Sequence, residues 1–354
     1  MLKKLQATKN ITDPFLLELL DEESQKFQGQ TLSQAAFAKL KNFIISGKSV
    51  RSGLFLLVAE SFKRENYLKK RSDLILVAAA LELIHSGLLI HDDIIDQDEL
   101  RRGQDSIWHQ YAKEAREGKI NNPQNYGESL AICLGSLTQY LAQLALERLS
   151  LLPATTQKVI KRTINQEIIK TYFAEMLDSK ITLQTNAPTP SEVEEMYLFK
   201  TARYTFSLPL QLASIINQQS TKQVEKIVKI GEKLGLIFQI KDDEISLFAS
   251  AEKSGKSFAS DIREGKKTLH YLYVLESANS LEKEFLQEFY GQKEIDQQKI
   301  EQIQKLFKKH ANAKIEALSE KLAAEAASLI AEISSEKTRE LLTTTLNFNL
   351  TRES

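Results

Sequence analysis

The scarcity of chain breakers constrains the fold most. Between Gly127 and Gly231 the sequence holds one glycine, Gly135, and the prolines Pro153, Pro188, Pro190 and Pro209. Short alternating runs bounded by turn residues, the signature of strands, are nearly absent. Apolar residues recur instead at spacings of three and four. In AKIEALSEKLAAEAASLIAEI, residues Ile315, Leu318, Leu322, Leu329 and Ile333 share one helical face. The pattern predicts an all-α protein. Helices are expected at Pro14–Lys26, Leu32–Ser46, Ser52–Arg64, Ser72–Gln97, Ser106–Glu117, Glu128–Ser150, Ala154–Thr182, Ser191–Asn217, Lys222–Ala249, Lys267–Ser277, Ser280–Tyr290, Ile295–Ala311, Ala313–Ser334 and Lys337–Thr344. Asp13-Pro14 reads as a helix start, a capping residue followed by proline at the first helical position. Asn121–Gly127, Thr185–Glu192 and Ser254–Lys266 read as loops. No linker separates two halves, so one helical domain over residues 1–354 is expected.

Composition narrows the function. The chain carries 47 basic and 47 acidic side chains and 42% apolar residues. It lacks the basic excess of a nucleic-acid binder, so no nucleic-acid partner is expected. The single cysteine, Cys133 in SLAICLGSL, excludes an internal disulfide, reads as a small buried hydrophobe and fits a reducing, cytoplasmic setting. The N-terminal stretch has no continuous apolar core, so no secretory signal is expected. The apolar run LILVAAALELI, Leu74 to Ile84, is short and contains Glu82, so it reads as a core helix and no transmembrane segment is expected.

That run leads into HDDIIDQDELRRG, His91 to Gly103. Asp92 and Asp96 are four apart and Asp93 and Asp96 three apart, so on a helix their carboxylates stack and repel. A cation between them relieves the repulsion, and an all-oxygen set favours a hard ion such as Mg²⁺, which keeps waters and is shared with substrate phosphate. A solvated acidic helix end is the plain alternative. Against it stands a second acidic pair, Asp242 and Asp243, after the equally apolar GLIFQIKDD. Two acid clusters ending two core-like helices suggest that they face each other across a cavity. Basic residues lie near both: Arg101 and Arg102, Lys48 and Arg51 in SGKSVRS, Lys200 in FKTARY, and Lys256, Lys266 and Lys267 after the second cluster. Acid for metal and base for phosphate oxygens together describe a polyphosphate site.

With these motifs the chain resembles the trans-isoprenyl diphosphate synthases, or polyprenyl synthetases, of the geranylgeranyl and farnesyl diphosphate synthase type. The likeness runs from about Gly47 to about Thr268, with a compatible helical part over 270–354. It is carried by HDDIIDQDELRRG, by FQIKDDEI with the later GK, SDI and EGKKTL, and by GKSVR, Glu82 to His85, and Lys200-Thr201. The resemblance implies a single isoprenoid-synthase helical bundle with a central cavity. It also implies condensation of isopentenyl diphosphate with an allylic diphosphate, assisted by three Mg²⁺ ions, and a homodimer. It assigns metal to Asp92, Asp96 and Asp242, with Asp93 and Asp243 orienting these ligands and pairing with lysine. It assigns the allylic diphosphate to Arg101, Lys200 and Lys266, with Lys256 in the same loop. It assigns isopentenyl diphosphate to Lys48, Arg51, His85 and Arg102, and places Thr201 and Gln239 near the carbocation. Chain length is assigned to Ile84, Gly87 and Leu88, where the lack of an aromatic implies a product of twenty carbons or more.

The sequence departs from the family pattern at Ser246, where a carboxylate is usual, and at Ser49, Ser136 and Ala174-Glu175. Two other readings stay open: a class I terpene cyclase, which shares the first motif, and a weakly active regulatory subunit of a heteromeric synthase.

Overall fold

In the computed structural model, residues 1–62, 64–248 and 259–352 are described. The chain is helical almost throughout, as its periodicity predicts, and it divides into two compact units. One comprises Met1–Lys161 and Leu212–Gln218, the other Arg162–Gln211 and Gln219–Ser354.

The first unit is built around α5 (Arg71–Ile95), whose apolar stretch from Leu74 to Ile84 is almost wholly buried. Around it lie α1 (Leu2–Lys26), α2 (Ser33–Ile45), α3 (Val50–Phe62), α6 (Ile107–Glu117) and α7 (Pro123–Glu147); a short α4 (Arg64–Lys69) leads into α5. α5 and α7 approach until side chains no longer fit between them. A Cβ on Gly87 would lie 2.7 Å from the Gly135 carbonyl oxygen, and one on Gly135 would lie 2.5 Å from His91 Nε2. Glycine is the residue that permits such backbone contact. Asp73, completely buried near the start of α5, accepts hydrogen bonds from the backbone N–H groups of Ser150, Leu151 and Leu152 at 2.8–3.1 Å and so ties down the segment ahead of α8 (Ala154–Leu183).

In the second unit α9 (Pro190–Met196) opens with a full capping box from Thr189 and Glu192 and runs into a π-helix, Tyr197–Ser207; α10 (Leu208–Ile216) follows, its residues from Leu212 on belonging to the first unit. The single helix expected over Ser191–Asn217 is therefore continuous in path but widened in its middle. Such widened turns are rare and often mark functional positions. The π-helix lies against α11 (Thr221–Phe248), where a Cβ on Gly231 would meet Ser207 Cα at 2.5 Å and one on Gly235 would meet Ala202 Cα at 2.3 Å. A glycine pair one turn apart thus lets α11 dock on the π-helix nearly backbone to backbone. Next come α12 (Ser260–Glu264), inside a segment expected to be loop, then α13 (Leu269–Ser277), α14 (Ser280–Phe289), α15 (Gln297–His310), α16 (Asn312–Ala331) and α17 (Glu336–Thr351). On α16, Ile315 and Leu322 are buried as their spacing predicts.

Two further expectations change. Pro14 does not start a helix but lies inside α1, and Asp13 pairs with Lys9 one turn back instead of capping. An internal proline costs about 3 kcal/mol, and the burial of Leu5, Leu16, Leu19 and Leu20 along α1 offsets it. Cys133 is exposed, not buried. α7 is apolar nearly all round, and the face carrying Cys133, Ile132, Leu137, Tyr140 and Leu144 points outward. α5 and α7 are both long and apolar enough to cross a membrane by composition, which a search for uninterrupted apolar runs overlooks; most of α5's apolar window is buried inside the protein.

His270, in α13, is buried, and burial pushes its imidazole down to about 4. The unfolded chain takes up a proton near pH 6.5 that the folded protein refuses until about pH 4. Stability is therefore expected to fall as the pH drops from 6.5 towards 4. Urea midpoints measured across that range check this, and His270→Phe should flatten the slope.

Candidate active site

The first acid cluster forms where α5 ends. Asp92 lies in its last turn and Asp96 caps its end, both partly exposed, while Asp93 turns inward and is 1% exposed. A two-residue hairpin follows, Leu100–Arg101 paired with Gln104–Asp105. Its turn residues Arg102 and Gly103 both have positive φ, +57° and +74°, as a tight type I′ turn requires. The hairpin, small enough to escape a strand search, folds Arg101 back over the acids. The Arg101 guanidinium pairs with Asp93, with Asp92 Oδ2 at 3.0 Å and with Asp98 Oδ2 at 3.1 Å. Trp108 Nε1 donates to the carbonyls of Asp93 and Asp98 at 3.1 and 2.9 Å, closing the end of α5. Burial pushes the Asp93 carboxyl up to about 7 against the pull of Arg101.

On the same unit Arg102 Nη1 donates to Phe43 O and Ser46 Oγ, both at 3.1 Å, and its guanidinium fills the space beside Gly47. Buried Glu82 accepts the backbone N–H of Ser52 at 3.0 Å, fixing the start of α3. Burial, with Arg51 and Arg102 nearby, drives the His85 imidazole well below its ordinary value, so at neutral pH it is an uncharged hydrogen-bonding group. Arg51, His85, Arg101, Arg102 and the Asp92–Asp93 pair thus gather in one electrostatic cluster. Lys48 lies exposed on the loop before α3.

In the second unit Lys200 and Thr201 project from the π-helix and Gln239, Asp242 and Asp243 from α11. Thr201 Oγ1 donates to Gln239 Oε1 at 2.6 Å, Gln239 Nε2 donates to Asp243 Oδ1 at 2.7 Å, and Asp243 also receives the hydroxyl of Tyr197. Asp243 is 4% exposed, and burial holds its carboxyl well above the usual carboxylate range. Lys200 Nζ lies 2.6 Å from Asp178 and 3.0 Å from Glu175, and Lys266 Nζ lies 3.5 Å from the same Asp178 oxygen. Asp242 Oδ1 is 2.5 Å from Arg352 Nη2, whose guanidinium covers the Phe238 ring at 3.8 Å.

Each unit therefore brings its own share of the expected residues together. The pairing differs from the expectation in one respect: Asp93 is held by arginine and Asp243 by tyrosine and glutamine, while the lysines rest on Asp178 and Glu175. Tyr197 and Arg352 were missed outright. Asp178 and Glu175, one turn apart on α8, carried a signal in their helical spacing. Of the chain-length positions, Ile84 is 1% exposed, with its carbonyl bonded to Gln139 Nε2 at 3.1 Å, and Gly87 abuts α7, so an aromatic there would strike the Gln139 side chain and the Gly135 backbone. Lys256 lies outside the described residues.

Among the described residues no three His, Cys, Asp or Glu side chains form a ready metal cage. The donor set nonetheless suits Mg²⁺, which needs only one or two carboxylates and completes its shell with water and phosphate. A cation already stands at two of the candidate ligands, Arg101 at Asp92 and Arg352 at Asp242.

The polyprenyl synthetase family profile matches residues 34–307. A geranylgeranyl diphosphate synthase of Saccharolobus solfataricus is 32% identical over 77% of this chain and 81% of its own length. A short chain isoprenyl diphosphate synthase of Methanocaldococcus jannaschii is 26% identical over 84% of this chain and 83% of its own. A geranylgeranyl pyrophosphate synthase from Corynebacterium glutamicum, solved with isoprenyl diphosphate and magnesium, has the same fold, with a TM-score of 0.92, 22% identity and coverage of 98% and 99%.

Proposed function

This chain belongs to the polyprenyl synthetase family and is a prenyl diphosphate synthase, and from that premise we propose which residues carry the reaction and how far it runs. Isopentenyl diphosphate is joined head-to-tail to an allylic diphosphate, giving a trans-polyprenyl diphosphate of twenty carbons or more. The observation that carries the residue assignment is that Asp92 and Asp242 each already hold an arginine, so each is a carboxylate built to face positive charge.

Asp92 and Asp96 in the first unit and Asp242 in the second would hold Mg²⁺, three ions in all. When bound, the metal supplies positive charge to the departing diphosphate. Lys200 and Lys266 hold allylic diphosphate oxygens, exchanging Asp178 for phosphate. Arg101 keeps Asp92 and Asp93 oriented and offers its guanidinium to diphosphate oxygens. Lys48, Arg51 and Arg102 hold isopentenyl diphosphate as cations, and neutral His85 adds a hydrogen bond without adding charge. The carbonyl oxygen of Gln239 and the hydroxyl of Thr201 present dipoles to the allylic cation, and the released diphosphate takes the proton lost after coupling. Ile84 and Leu88 line the path of the growing chain. The outward apolar stripe of α7, Ile132, Leu137, Tyr140 and Leu144, supports a homodimer, since such a face is normally covered.

Incubation with an allylic diphosphate alone and with isopentenyl diphosphate added tests the reading. The synthase elongates only in the second mixture, and sizing the prenyl alcohols after phosphatase treatment gives the product length. A hydrocarbon or terpene alcohol formed from the allylic substrate alone would make the chain a cyclase. The arginine on Asp242 gives a further expected result. A partly exposed ion pair is worth up to about 1 kcal/mol, so Arg352→Gln, by freeing Asp242, should lower the half-saturating Mg²⁺ concentration roughly threefold.

A further inference from the structure

The hydroxyl of Tyr197 joins three segments of the second unit that carry the proposed chemistry. Tyr197 is the first residue of the π-helix and is 1% exposed. Its O–H donates to Asp243 on α11, and its oxygen accepts the backbone N–H of Leu269 at 3.2 Å, at the first turn of α13. One end of this chain runs on through Asp243, Gln239 and Thr201 back to the π-helix. The other end fixes the segment after Lys266, whose carbonyl is held in turn by the Tyr290 hydroxyl at 2.6 Å. A phenol has one proton to give and lone pairs to receive, and here both capacities are used. If Tyr197 served the core alone, its ring would matter and its oxygen would be a liability, because a buried hydroxyl needs partners.

We propose that Tyr197 is a positioning residue for prenyl transfer: its hydroxyl locks Asp243 and the start of α13, and through them sets Asp242 for its metal and Lys266 for diphosphate. The proposal rests on the reading of Asp242 as a metal ligand. The hydroxyl acts by geometry. Without it, the neighbour of Asp242 loses a fixed partner and α11 can relax against the π-helix, and small displacements of positioned groups are costly in such sites.

The test is direct binding of Mn²⁺, as a spectroscopic stand-in for Mg²⁺, to the full chain in the presence of inorganic diphosphate, read from the electron paramagnetic resonance of free Mn²⁺. Four proteins are compared: the parent, Tyr197→Phe, Asp242→Ala and Leu286→Ala. Leu286 is fully buried in α14; its apolar side chain makes none of the network's hydrogen bonds, and its truncation reports the effect of lost packing. Tyr197→Phe keeps the ring and is expected to weaken Mn²⁺ binding about five- to tenfold with unchanged stoichiometry, in line with the loss of one buried hydrogen bond. In turnover it should raise the half-saturating Mg²⁺ and leave kcat at saturating Mg²⁺ within about threefold. Asp242→Ala should lose bound ions, and Leu286→Ala should bind as the parent does. Parent-like binding by Tyr197→Phe, with Asp242→Ala defective, overturns the positioning role and leaves the metal assignment standing. Equal weakening in Leu286→Ala overturns it as a stability effect. Parent-like binding by Asp242→Ala removes the metal assignment and the proposal with it.

Discussion

Asp92→Asn is expected to lower kcat by about 10³-fold, the scale on which charge-stabilising groups act when one is removed, with little change in melting temperature. Asp92 is partly exposed on the last turn of α5, and the asparagine keeps its shape. What is lost is charge. Arg101 retains Asp93 and Asp98 as partners, so the hairpin Leu100–Asp105 stays in place. The fold should therefore survive and the chemistry should not. Turnover at saturating Mg²⁺, paired with a thermal melt, separates the two. A loss of less than about tenfold would remove Asp92 from the groups that stabilise the leaving diphosphate. Asp93→Asn should behave differently. That side chain is buried against the Arg101 guanidinium, so the amide should loosen the hairpin that Arg101 holds as well as lower activity.

The largest effect on stability is expected from Asp73→Ala, a loss of about 3 kcal/mol. Its two oxygens accept four hydrogen bonds from three consecutive backbone N–H groups, at Ser150, Leu151 and Leu152, and the side chain is wholly buried. Truncation strands those donors and leaves a void at the start of α5. The urea midpoint should drop with the denaturant slope unchanged. Asp73→Asn, which keeps one acceptor oxygen, should cost about half as much. A change below about 1 kcal/mol for the alanine would mean that water replaces the carboxylate freely.

The same contrast between local and tertiary signals explains how far the sequence could be read. Helices were legible because α5, α7 and α11 carry their apolar residues at helical spacing and few glycines or prolines interrupt them. The acid and base clusters were legible as residue types. Pairings were not, because they depend on which helices meet. Nothing local shows that Gly231 and Gly235 press α11 onto the π-helix, bringing Gln239 to Thr201 and Asp243 to Tyr197. Nothing local shows that Asp178 on α8 serves both Lys200 and Lys266. The hairpin after α5 escaped notice because two-residue strands have no alternation to detect, although Arg102-Gly103 carries turn chemistry. Pro14 misled because a capping pattern is local and the packing of α1 is not.

Cys133 teaches a related point. An apolar neighbourhood in sequence means burial only if every face of the helix is covered, and α7 leaves one uncovered among the described residues. A second copy of the chain on that face, as the homodimer reading requires, would restore the expected burial.

The most direct test of the account is elongation itself. The purified chain is incubated with isopentenyl diphosphate and farnesyl diphosphate, with Mg²⁺ and then with Mg²⁺ removed by chelator, and the products are sized as prenyl alcohols. The account predicts an elongated product of twenty carbons or more that disappears with the chelator. No elongation from farnesyl, geranyl or dimethylallyl diphosphate at any Mg²⁺ concentration would contradict it.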